Sequence, residues 1–186
     1  KISEKNNQFD NLHKLIDQLK KSRFIKSIYY LADYKFLKKE SSIKWLNRKI
    51  IKNADDLSLN ELMCNSLQLI EDNGDSPDRI VYINPDYVNR PNTIFDTLIS
   101  DAQHKGFDTL FPGLVDYGHY WYQKEGDYKQ TDPSLKPRTE REPIYKALYG
   151  VGCVISPWVL RGGKMIGGKV GILEIDNDKY AKREKP

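Results

Sequence analysis

The sequence predicts an α/β sandwich: a mainly parallel sheet between layers of helices, with a β-hairpin excursion late in the chain. Three observations lead there. Helical and strand-like periods alternate through the first part of the chain. The strand-like runs are short and continuously apolar, as in Ile80-Val81-Tyr82-Ile83, which suits strands buried on both faces. A polar, aromatic stretch over 117–131 centres on Glu125-Gly126-Asp127, the composition of a hairpin tip. With 39% hydrophobic and 30% charged residues, the 186-residue chain can fill one core and lies far from the composition of disordered proteins. It reads as a single domain over 1–186 with the excursion at 115–145.

The elements follow in order. Phe9, Leu12, Ile16 and Leu19 recur at helical spacing, and 25–31 then reads as a β-branched and aromatic strand ending in Ala32-Asp33. Ser58-Leu59-Asn60-Glu61 has capping-box spacing, in which the Ser hydroxyl and Glu carboxylate each satisfy an orphaned backbone N–H. Leu59, Leu62, Met63 and Leu67 carry that helix to about Glu71. After the turn-forming Asn73-Gly74-Asp75-Ser76-Pro77 comes the strand 80–83, stopped at Asn84-Pro85-Asp86. A helix over 93–104 places Ile94, Phe95, Leu98, Ile99 and Ala102 on one face, with Gly106 as its stop. Strands are expected at Thr109-Leu110-Phe111, Cys153-Val154-Ile155 and 170–173.

Composition excludes several classes. The 30 Lys+Arg against 26 Asp+Glu are interleaved, as in Glu140-Arg141-Glu142, so a nucleic-acid partner is not expected. The longest nearly uncharged stretch, 147–160, contains Gly150, Gly152 and Pro157 and is too short for the roughly 20 apolar residues of a membrane span. Cys64 and Cys153, far apart in sequence, suit the reduced thiols of a cytoplasmic protein. The start, Lys1-Ile2-Ser3, has neither an initiator Met nor an apolar signal region, and predicts a further segment upstream. His13, His104 and His119 are too scattered to suggest a metal triad.

In an open parallel sheet, ligands collect outside the carboxyl ends of the strands. Asp33 follows the first strand and Asp86 the second, while Glu174, Asp176 and Asp178 surround the end of the last. Two carboxylates from different strands can hold Mg²⁺ through hard oxygen ligands and leave positions for phosphate oxygens. Singly, each has a plainer reading: Asp86 belongs to a Pro-Asp turn, and Asp176 or Asp178 could cap a short helix starting near Lys179. Their recurrence at successive strand ends favours the metal, because capping does not require a common edge.

Asn84-Pro85-Asp86-Tyr87-Val88-Asn89-Arg90-Pro91 after an apolar strand, Gly171-Ile172-Leu173-Glu174-Ile175-Asp176-Asn177-Asp178 near the end, and 15–33 near the start together resemble the cytidylyltransferases that activate sialic acids and related 3-deoxy-2-keto sugar acids. The resemblance covers almost the whole chain and rests on the order of short motifs. It implies a three-layer, Rossmann-like nucleotidyltransferase fold. In the central motif the family has Gln-Pro-Thr-Ser-Pro-Leu-Arg or Gln-Gly-Asp-Glu-Pro-Leu, so that Asp86 falls on a metal-binding Asp and Arg90 on a substrate-binding Arg. Asp176 matches the metal-binding Asp of the last motif, and Glu174 replaces an earlier Asp. Arg138-Thr139-Glu140-Arg141-Glu142-Pro143-Ile144-Tyr145 is similar to Arg-Gln-Asp-Leu-Pro-x-x-Tyr, which implies that Arg138 and Tyr145 meet the sugar acid. An ordinary surface arginine is the other reading of Arg138. Tyr120-Trp121-Tyr122 in the excursion could stack on ligand or pack a dimer, and the family commonly dimerises through this region. The family begins with a strand and a loop of the type Ala-Arg-x-Gly-Ser-Lys that cradles the triphosphate. Nothing before Leu12 supplies it, so the resemblance implies that it precedes Lys1. Tyr149-Gly150 stands where many members have Asn-Gly.

The reaction implied is attack of a sugar acid's anomeric hydroxyl on the α-phosphate of CTP, releasing pyrophosphate. Asp86 and Asp176 would hold Mg²⁺, assisted by Glu174 or Asp178. Two rivals stand beside it: a sugar-nucleotide glycosyltransferase using Asp176-Asn177-Asp178 as a DxD pattern, and a non-catalytic nucleotide-binding homologue.

Overall fold

The computed structural model describes residues 2–33 and 43–183, with only the backbone described for 2–10. Helix α1 (Ile2–Lys20) precedes β1 (Ile28–Ala32) and β2 (Ile43–Asn47), the latter a strand the sequence pattern had not marked. The capping box forms as spaced: Glu61 N–H donates to Ser58 Oγ at 3.3 Å, Ser58 N–H donates to Glu61 Oε2 at 2.8 Å, and α2 runs Leu59–Asp72. There follow β3 (Ile80–Tyr82), α3 (Ile94–His104), β4 (Thr109–Asp116), the hairpin β5 (Trp121–Lys124) and β6 (Asp127–Gln130), β7 (Ile144–Ala147), β8 (Cys153–Ile155), α4 (Pro157–Arg161) and β9 (Val170–Ile175). The hairpin turns on Glu125 and Gly126 at φ of +55° and +90°. Two positive φ values in succession match the right-handed strand twist, which is why a glycine sits at the tip.

The mainly parallel, Rossmann-like sheet expected from the sequence is not what forms. In the five-stranded sheet β3 pairs with β8, β8 with β4, and β4 with β7, all antiparallel. Only β9 joins it in parallel, on the other edge of β4, and the remaining parallel pair is the separate two-stranded sheet β1–β2. Chain connectivity supplies the reason. A parallel pairing needs a crossover of a dozen or more residues, usually helical, whereas strands joined by turns pair antiparallel. Between β4, β7 and β8 there is no α-helix, only the hairpin, a single 3-10 turn and the bend at 148–152. β3 and β4, linked through α3, do run in the same sense, but β8 inserts between them.

Alternation along the strands sorts the core into two faces. On one, Val81, Leu110 and Val154 pack with Leu15 and Leu19 of α1 and with Phe95 and Leu98 of α3. On the other, Ile80, Tyr82, Phe111, Cys153 and Ile155 pack with Leu67 of α2 and with Val159 and Leu160 of α4. Both cysteines are free thiols, and burial pushes Cys153 up to about 12, which keeps it an uncharged core residue at neutral pH. No helix among the described residues is long and apolar enough to cross a membrane.

Candidate functional site

Since β4 and β9 are parallel and β3 runs in their sense, the carboxyl ends of all three lie along one edge of the sheet. Asp86, Asp116 and Asp176 each follow or close one of those strands. The loop after β3 is built first from its own polar groups. Asn84 Oδ1 accepts from the Asp86 N–H at 2.9 Å, closing an Asx turn, and the Asn84 N–H donates to the Gly150 carbonyl at 2.9 Å.

Arg90, expected on the substrate, is half-buried, and its guanidinium is spent on main-chain carbonyls. It donates from Nε to Val151 O at 3.0 Å and from Nη2 to Asn84 O at 2.5 Å and Gly150 O at 3.2 Å, and its Nη1 bonds Tyr87 O. Burial pushes its pKa down to about 10, so it stays charged at neutral pH. The side chain therefore clamps the 84–90 loop onto the 150–151 turn. Gly150 is required there by space: a Cβ would stand 2.4 Å from Tyr87 Cε2 and 2.9 Å from Asn84 Cβ.

The third wall is the C-terminal segment. Arg183 pairs with Asp86 at 3.1 Å and lies over the Tyr87 ring at 5.4 Å, while Asn89 Nδ2 donates to Lys179 O at 3.4 Å. Neither Asp176 nor Asp178 caps the short 3-10 helix Asp178–Ala181; Asn177 does, accepting the Lys179 N–H at 3.0 Å. Asp176 and Asp178 are exposed. Glu174 is exposed too, and accepts the Tyr145 hydroxyl at 2.6 Å across the β9–β4–β7 strip, a bond that raises the Tyr145 pKa. Arg138 is exposed and lies over Tyr117 at 5.4 Å. The neighbouring Arg141, not singled out from sequence, pins its loop by donating to Lys136 O and Tyr117 O at 2.6 and 2.7 Å. Asp33 ends β1 on the separate sheet and faces Arg48 at 3.6 Å.

Among the described residues, no three His, Cys, Asp or Glu side chains converge as a metal cage. No protein-family model matches the chain, and no curated protein sequence matches it.

The two sheets are tied at a second polar cluster. The Tyr29 hydroxyl on β1 bonds Asp75 in the turn before β3, and Lys44 Nζ on β2 donates to Asp75 Oδ2 at 2.6 Å and to Tyr29 Oη at 3.2 Å. The Lys44 hydrogen bond is the main cause holding the Asp75 carboxyl below its ordinary 3.8, and the Asp75 bond the main cause holding Lys44 above 10.5. A depressed carboxyl stabilises the fold above its unfolded pKa and loses that contribution as pH falls through the folded value. The excess stability of wild type over Asp75→Asn is therefore expected to be full near neutrality and to vanish as pH drops below about 3.8. Thermal unfolding of both proteins between about pH 7 and about pH 2 measures it. A gap unchanged at the acid end would remove the latch from the stability of the fold.

Proposed function

We propose that the protein is a nucleotidyltransferase that moves CMP from CTP to a sialic-acid-like 3-deoxy-2-keto sugar acid and releases pyrophosphate. The observation that carries this reading is the edge itself. Three co-directional strands end there, and the 84–90 loop, the 150–151 turn and the 177–183 segment are hydrogen-bonded or ion-paired into one wall beside Asp86. The substrates come from the family resemblance of the 84–91 and 171–178 motifs, whose implied mainly parallel fold is not the one that forms.

In this reading Mg²⁺, when bound with the nucleotide, neutralises the triphosphate charge. Asp86 and Asp176 would hold that ion, assisted by Glu174 or Asp178. Arg183 balances Asp86, and a metal cation would have to replace it there as counter-ion, while Arg90 acts by positioning the loop. Arg138, exposed on the excursion, is suited by its planar fork to a sugar carboxylate, and Tyr145 would meet the same substrate with its hydroxyl held by Glu174. The exposed Trp121, Tyr122 and Tyr128 of the hairpin, at 60, 49 and 71% accessibility, would pack against a second copy. One observation favours the non-catalytic reading instead: Asp86 already has a cationic partner.

Pyrophosphate release separates the two. With Mg²⁺, CTP and a panel of 3-deoxy-2-keto sugar acids, the proposal expects release that requires CTP and one sugar acid, and little with UTP. Nucleotide binding with no release across the panel would establish the non-catalytic homologue. Transfer from a sugar nucleotide without pyrophosphate would establish the glycosyltransferase.

A further inference from the structure

A cleft of about 1540 Å³ separates the two sheets. β1 stands at the edge of the two-stranded sheet and β3 at the end of the five-stranded one, and both border this cleft. Each contributes an unbroken run of residues to its wall, 26–31 from β1 and its approach and 75–85 around β3. A strand turned face-on would contribute alternate residues. An unbroken run means that its edge, with the row of backbone N–H and C=O groups, lines the space.

Much of the remaining lining is aliphatic and comes from opposite layers, with Arg48, Gln103, Asp108, Ser156 and Arg161 among its polar members. Leu15 and Leu19 of α1 belong to the face of the sheet that carries Val81, whereas Met63 of α2 packs on the face that carries Ile80 and Tyr82. All of these residues line the cleft, as do Leu62 and Ile70 of α2. The Tyr29–Lys44–Asp75 cluster bridges the two sheets. The space thus has strand edges on two sides and aliphatic helices above and below.

We propose that this cleft is a receptor slot for one β-strand, an extended apolar polypeptide segment supplied from outside these 186 residues, which pairs with β1 on one edge and β3 on the other. Only an extended backbone presents donors and acceptors to both edges at once, alternating from one side to the other along its length. Because both of its faces would meet aliphatic helices, the segment is a continuous run of about five or six Val, Ile or Leu residues rather than an alternating one. Insertion joins the two sheets into one. This inference is argued from the strand edges and not from the nucleotidyltransferase reading, whose wall the cleft meets only at Asn84 and Pro85.

The probe is a synthetic peptide with a Val-Ile-Val-Val-Ile centre and lysine ends, read by backbone hydrogen exchange at 28–31 and 80–82. At saturating peptide, exchange is expected to slow at least tenfold at both edges together. Two further peptides carry N-methyl groups on the odd or on the even residues of the centre, each blocking pairing along one side. Both are expected to lose at least tenfold in affinity, because an inserted strand needs both sides. Protection of neither edge, or of one only, overturns the proposal. So does full binding by either N-methylated peptide, or a dimer of the protein alone that already protects both edges. No step of this experiment involves nucleotide or pyrophosphate, so its failure leaves the proposed activity standing and the reverse is equally true.

Discussion

Arg90→Ala is expected to destabilise the fold by about 2–4 kcal/mol, lowering the melting midpoint by roughly 5 to 15 °C. The guanidinium bonds four carbonyls; Gly150 O also accepts the Asn84 N–H and Asn84 O the Tyr87 N–H, whereas Val151 O belongs to a fully buried residue and takes its donor from Arg90. Removing the guanidinium takes that donor from Val151 O in a place water reaches poorly, a loss of about 1–3 kcal/mol before relaxation, and the other lost bonds and the emptied side-chain volume add to it. Asn84 and Tyr87 are half-buried, so their carbonyls can recover water, which holds the total below the full sum. Arg90→Lys is expected to recover little, because one ammonium cannot reproduce a planar fork aimed at four oxygens. Denaturant unfolding of the three proteins decides the matter. A loss under about 1 kcal/mol for the alanine variant would show that the loop is held by its other contacts, chiefly the Asn84 N–H bond to Gly150 and the Tyr87 ring against the Gly150 backbone. Such a result would also release Arg90 for the substrate role expected from sequence.

Asp176→Asn is expected to lower pyrophosphate release on the order of 10²–10³-fold while the melting midpoint stays within a few degrees of wild type. The two halves of this expectation have separate causes. Asp176 is exposed just past β9, and Asn keeps its shape, so folding loses little. The charge is what disappears, and in phosphoryl-type transfer positioning and charge neutralisation supply nearly all of the rate enhancement. Turnover within threefold of wild type would exclude Asp176 from the reaction, and a large drop in melting midpoint would make it a structural residue. Comparing kcat with KM for CTP sharpens the reading. A loss confined to KM would mark simple ground-state binding, whereas a loss in kcat places the charge in the transition state.

Local structure was legible in this sequence because its causes are local. The Ser58–Glu61 capping box, the 93–104 apolar stripe and the Glu125-Gly126 turn each depend on groups within a few residues of one another, and each forms where the spacing puts it. β2 was missed because Ile43 to Asn47 is short and half polar, and pairing with β1 rather than intrinsic preference makes it a strand. The candidate site was partly legible. Asp86, Glu174 and Asp176 could be named from their places after apolar runs, but Arg183 and Asn177 carry no motif, and nothing near Arg90 announces that two of its four partners lie 60 and 61 residues away.

What the sequence determined by itself is therefore most of the elements, β2, β7 and α4 excepted, with their caps and turns and the rough order in which acidic residues follow strands. Sheet direction was decided only in three dimensions. Alternating helices and strands suggested parallel crossovers, yet β4, β7 and β8 are joined without a helix, so each folds back on its neighbour, and β8 enters between β3 and β4. The physical reason is that helix and turn signals arise from contacts a few residues apart, whereas strand order and direction are set by which distant apolar faces can be buried together. The same holds for the Arg90 clamp and for the slot between β1 and β3: both are made of groups that become neighbours only after the chain has folded.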